Sequence, residues 1–156
     1  MSLGHESSDD ARSHPRPQSS MGLRLRPSPV ASEPSFSLDH EYFEIAYAPL
    51  IGPTAILFAR AMSRHLECAN GPVTVCPLDL ALEVGIRANT ADPLGKRSHL
   101  VRALERLVHD RIVVRLDDRV LGVSCRVPPL GHGRLERLPA AVRRRHEEIL
   151  AAVAVL

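Results

Sequence analysis

The sequence predicts a mostly α fold with a small β-wing, and three observations predict it. Two short helical patterns follow one another between Pro77 and Val108, a period-two hairpin pattern runs from Ile112 to Val123, and a longer helical pattern precedes them all. Apolar residues make up 44% of the 156-residue chain, enough for one buried core with extensions.

Residues 1–35 are dominated by Ser, Pro, Arg, Asp and Glu, with too few large apolar groups to offset the entropy of ordering them, so a disordered N-terminal tail is expected. Its arginines (Arg12, Arg16, Arg24, Arg26) are balanced by Glu6, Asp9, Asp10 and Glu33, which favours a plain linker over a phosphate-contacting arm. From Phe36 to Leu50 two readings stay open. Phe43, Ile45 and Tyr47 alternate as in a strand, Tyr42, Phe43 and Ala46 fit a helical turn, and Pro49 ends either. Gly52-Pro53-Thr54 then opens a helix expected to reach about Glu67, burying Ile56, Leu57, Ala61, Met62 and Leu66, and Asn70-Gly71-Pro72 stops it. Val73, Thr74 and Val75 supply a small third strand.

Cys76-Pro77 starts the next helix, since proline at the first helical position loses no intrahelical bond, and Gly85 closes it after Leu80, Ala81 and Val84. Ser98 is a good N-cap for the helix after that, which has the strongest periodicity in the chain: Leu100, Val101, Leu104, Leu107 and Val108. Its opposite face reads His99, Arg102, Ala103 and Arg106, with Lys96 and Arg97 just before it, so an exposed cationic ridge is expected. Ile112, Val114 and Leu116 then alternate with Val113 and Arg115, the chain turns at Asp117-Asp118, and Val120, Leu121 and Val123 return. A two-residue loop sets Leu116 against Arg119, Val114 against Leu121 and Ile112 against Val123, with Arg115 on the solvent side.

Helix, short helix, basic helix and hairpin in that order outline a winged helix-turn-helix spanning residues 36–126, with residues 127–156 as a linker and an appended C-terminal helix. That helix is expected from Pro139 to Val155, after breaks at Val127-Pro128-Pro129 and Gly131-His132-Gly133. Leu138, Val142, His146, Ile149 and Val153 form its stripe, with His146 as a partly exposed edge residue. It either folds back on its own domain or forms a homodimer with a second copy; both arrangements stay open.

The formal net charge of +2 hides a segregation. Residues 36–95 hold three basic and seven acidic side chains, a net of −4, whereas residues 96–156 hold thirteen basic and seven acidic, a net of +6. The cationic surface therefore falls where the basic helix lies.

The order YFEIAY, GPTAILFARAM, VTV, PLDLALEVG, SHLVRALERLVHDRI, VVRLDDRVLGV, over about residues 42–124, resembles the winged-helix domains of bacterial transcription regulators and of plasmid replication initiators. By position, the resemblance implies that Lys96, Arg97, His99, Arg102 and Arg106 occupy the recognition helix and its entry, and Arg115 and Arg119 the wing. Its implied partner is double-stranded DNA, read by the basic helix in the major groove. Two features depart from the pattern. The link from Ile86 to Arg97 is long, and Asp117 and Asp118 place carboxylates where many wings approach phosphate.

Chemistry beyond binding has little to stand on. No P-loop, Rossmann glycine pattern, GxSxG or HExxH occurs, so no catalytic residues, cofactor or metal are expected. Cys68, Cys76 and Cys125 lack CxxC spacing, and His65, Cys68 and Cys76 form a conceivable ligand trio that is better read as packing. His109 and Asp110 are adjacent on a helix and do not face each other. There is no Trp, and the aromatic rings cluster before the first long helix rather than among the cations, which favours duplex over single-stranded nucleic acid. No apolar run reaches the ~20 residues of a membrane span and no signal segment is evident, so a cytoplasmic location is expected. The expected function is sequence-specific duplex-DNA binding in transcription regulation. The alternatives are a replication-initiation or partition accessory of a mobile element, or a winged-helix adaptor that binds protein.

Overall fold

The computed structural model describes residues 22–29, 33–88 and 91–155. The chain is an α+β fold in which helices pack on a small mixed sheet. Strands β1 (Leu23–Ser28), β3 (Val73–Val75), β4 (Val113–Asp117) and β5 (Val120–Ser124) form that sheet in the order β3-β1-β5-β4, and β2 (Phe36–Ser37) pairs separately with β6 (Arg126–Val127).

β1 corrects the expectation of a tail over residues 1–35, of which 1–21 and 30–32 lie outside the described residues. Leu23 and Leu25 are buried while Arg24 and Arg26 are exposed, the alternation of a strand with one face on a core. β1 runs antiparallel to β3 and parallel to β5, with Leu25 aligned with Val73 on one side and Leu121 on the other. The Val73–Val75 strand exists as expected, but it reaches the hairpin only through β1. The hairpin register is also corrected: Val113 aligns with Val123, Val114 with Gly122 and Arg115 with Leu121, with a bulge between Arg115 and Asp117. The two-residue turn is Asp118-Arg119 and not Asp117-Asp118, and the bulge leaves one residue of β4 unpaired, so that together they shift the pairing by one position.

The ambiguous YFEIAY segment is helical, a π-turn over Phe43–Tyr47 that runs into α1 (Ala48–Ile51). Its rings Tyr42, Phe43 and Tyr47 pack on one another and on Phe36 of β2, so the alternation in the sequence reflects an aromatic cluster and not a strand. α2 (Pro53–Ala69) is the central helix, ending at Asn70 in the left-handed conformation. It buries Ile56, Phe58, Met62 and Leu66 against α4 (His99–His109), β1 and β5, while Leu57, expected inside, is 48% exposed on its far side. α3 (Pro77–Glu83) starts at the Cys76-Pro77 signal.

After β6 come a single turn, α5 (His132–Leu135), and the C-terminal helix α6 (Ala140–Ala154), which packs on the π-turn of its own chain. His146 is 5% exposed and not an edge residue: its Nδ1 lies 2.8 Å from the Tyr42 hydroxyl, which also accepts the Leu130 N–H at 2.8 Å. The hydroxyl and the imidazole share one hydrogen bond, whose direction follows the His146 tautomer. Burial lowers the His146 pKa, partly offset by Glu147, and burial raises that of Tyr42 against the opposing Leu130 bond. His146 and Ile149, two members of the stripe on which a dimer seam would rest, are thus already buried within one chain.

Candidate nucleic-acid interface

The candidate site is built on α4. Two successive turns lead into it, with Gly95 N–H donating to the Asp92 carbonyl and Ser98 N–H to that of Gly95. A Cβ at Gly95 would lie 2.7 Å from an Asp92 carboxylate oxygen, so glycine lets the Asp92 side chain lie close over this entry. Ser98 then caps the helix, its Oγ accepting the Val101 N–H at 3.0 Å.

The inward face of α4 is Leu100, Ala103, Leu104 and Leu107, all buried against α1 and α2. Ala103 is thereby removed from the expected outward face. That face carries exposed His99, Arg102, Arg106 and His109, at steps of three, four and three residues, which align on one ridge. Glu105 is its exposed carboxylate. Arg106 is held in place: Nη1 donates to the Ile51 carbonyl at 3.2 Å, at the C-terminal end of α1 where carbonyls carry partial negative charge. Gly52, with φ 84°, permits that reach, because a Cβ there would meet the same nitrogen at 2.9 Å. Its remaining N–H groups have no partner among the described residues.

At the helix entry, Lys96 and Arg97 are exposed and, with Arg87 and His99, line a shallow cavity of about 420 Å³ that also includes Asp92. The structure thus brings five of the expected residues, Lys96, Arg97, His99, Arg102 and Arg106, to one helix and its approach. Arg115 and Arg119 lie apart on the hairpin. Arg115 is exposed at the bulge, while Arg119 is half-buried and its carbonyl accepts the Arg24 N–H at 2.8 Å. At the tip, the Asp117 carboxylate accepts the Asp118 N–H at 2.8 Å, and both residues are exposed. Exposed Val114 and Leu116 precede them.

Four further basic residues fall outside the expected site set. Arg24 and Arg26 belong to β1, where Arg24 aligns with Val120 beside Arg119; the signal was the Leu-Arg-Leu-Arg alternation, hidden in a Ser- and Pro-rich surround. Arg87 joins the entry cavity from the loop after α3, and His109 continues the helical spacing of the ridge by one more turn.

Elsewhere, His65 Nε2 lies 2.7 Å from a Glu83 carboxylate oxygen and Cys68 is exposed, contrary to its expected role as a buried apolar residue. Among the described residues no group of three His, Cys, Asp or Glu side chains is placed to hold a metal ion, and no helix is long and apolar enough to cross a membrane. No protein-family profile, curated protein or solved structure matches this chain.

Proposed function

We propose that this chain is a duplex-DNA-binding regulator of the winged helix-turn-helix type, with α4 as its recognition helix. The observation that carries the reading is the outward face of α4: His99, Arg102 and Arg106 on one ridge, led by Lys96 and Arg97, with Arg106 pre-positioned on α1. An α-helix fits the major groove, and arginine presents a donor fork that pairs bidentately with guanine or with phosphate. Holding Arg106 before binding lowers the entropy lost on contact. Arg115 on β4 and Arg119 in the turn itself act as flanking contacts beside the two carboxylates of the wing tip.

The test is a duplex titration at two salt concentrations with Arg102→Ala. Loss of a base contact weakens binding by about 1–3 kcal/mol and relaxes sequence preference, whereas loss of a phosphate contact weakens all sequences and lowers the salt slope by about one unit. Absence of wild-type binding to any duplex at low salt rejects the proposal. A protein-binding adaptor is the second reading, favoured by one observation: Val114 and Leu116 are exposed on the hairpin next to Asp117 and Asp118.

A further inference from the structure

A second basic region lies at the other end of α4, where none of the expected site residues falls. A cavity of about 560 Å³ is lined there by Leu50, His109, Asp110, Arg111, Arg134 and Arg137, and a smaller one joins it to Arg102 and Arg106 through Leu50, His109 and Asp110. Its carboxylate is already neutralised: the Asp110 side chain is 7% exposed and accepts a bond from Arg134. The Arg134 guanidinium is held a second time over the Tyr47 ring, 5.7 Å from its centroid. Arg111 and Arg137 are exposed, and neither guanidinium has a hydrogen-bond or ion-pair partner among the described residues.

The backbone at Arg111 is an independent sign. α4 ends with the Arg111 N–H on the Val108 carbonyl and the Ile112 N–H on that of Leu107, the paired bonds of a Schellman motif, and the residue this places in the left-handed region is Arg111, with φ 60°. Glycine fits that position without steric cost, and an arginine does not. A strained arginine on the rim of a basic cavity directs attention to what the side chain binds.

We infer that this cavity is a phosphate-binding site, with Arg111 and Arg137 as its free donors and Arg134 as its fixed wall. Continuity with the ridge of α4 points to a backbone phosphodiester of the duplex that α4 reads, so this source rests on the proposed function. A free phosphate ion offers the same tetrahedral oxygens, and the experiment separates the two.

Arg137→Ala and Arg111→Gly are compared with the wild-type chain in two assays: titration of a short mixed-sequence duplex, and thermal unfolding with and without inorganic phosphate. If the duplex supplies the phosphate, each variant binds it about five- to tenfold more weakly and with a salt slope lower by about one unit, while sequence preference is unchanged. Arg111→Gly also raises the thermal midpoint by a few degrees, since it relieves backbone strain as it removes a contact; a merely structural arginine would not separate stability from binding in this way. If duplex binding is unchanged but phosphate raises the midpoint of wild type and not of Arg137→Ala, the site stands with a free phosphate as its ligand. If both variants match wild type in both assays, the site is refuted, whether or not wild type binds DNA. Wild type that fails to bind duplex yet is stabilised by phosphate through Arg137 overturns the recognition-helix reading alone.

Discussion

The two ends of the chain's polar inventory are handled in opposite ways. Where α6 meets the π-turn, Tyr42, His146 and the Leu130 amide satisfy one another in a buried chain of hydrogen bonds. Along α4, Lys96, Arg97, Arg102 and most of the Arg106 donors face outward without a partner among the described residues. A buried polar group without a partner is costly, so the first arrangement serves stability; an exposed cation costs the fold little, so the second is available for a ligand. The comparison makes substitutions at the two places separable, with large stability effects and no binding effect at one and the reverse at the other.

The sharpest way to break it is Ile149→Glu. If α6 belongs to its own domain, a carboxylate pressed against the π-turn costs on the order of 4 kcal/mol or more, and denaturant unfolding detects this as a lower midpoint. A stable, folded monomer formed from a wild-type dimer would instead assign the stripe to a subunit seam. Leu25→Ala comes next. A fully buried leucine in the middle of the sheet is worth about 2–5 kcal/mol, against almost nothing for a residue in a tail. Tyr42→Phe removes the shared hydroxyl and leaves the Leu130 amide and the His146 ring unpaired, an expected loss of about 2–3 kcal/mol by chemical denaturation with no effect on DNA affinity.

Smaller still is the pH dependence of the same junction. Burial lowers the His146 pKa below its unfolded value, so the unfolded chain binds the proton more readily. Its contribution to stability is complete above the unfolded value of about 6.5 and is lost as the pH falls from there through the folded value. His146→Gln should flatten that part of the stability profile. A profile that keeps its slope in the variant would show that another group is responsible. Arg102→Ala has the smallest effect on stability, within about 0.5 kcal/mol, and it is the one expected to weaken duplex binding.

Much of this arrangement was legible because it is local. The Ser98 cap, the Pro77 start, the Asn70-Gly71 stop and the Leu100, Leu104 and Leu107 stripe of α4 are set by residues within one or two turns of each other, and the structure places these as expected, although Ala103 joins the buried face and Val101 and Val108 lie at its edge. β1 was not legible, since six residues in a polar stretch become a strand only through partners at both Val73–Val75 and Val120–Ser124. The bulge in β4 escaped for a related reason: one extra residue leaves no mark on an alternation of Val, Arg and Leu. For the candidate site, the ridge could be read from helical spacing, but the anchoring of Arg106 on Ile51 and the gathering of Arg111, Arg134 and Arg137 depend on contacts across the fold.

The position of β1 also bears on how the chain reaches this state. The hairpin β4–β5 and the helices before it are short-range structures that can form as soon as their own residues are present. β1 is made before all of them, and its longest pairing, Leu25 beside Leu121 and Pro27 beside Val123, awaits a strand near the other end of the chain. Until then its backbone donors and acceptors lack a ladder and the inner edge of β5 is open, a condition under which strands find partners in other molecules. Closure of the sheet is therefore the high-contact-order step, and its rate sets how long each newly made chain exposes that edge.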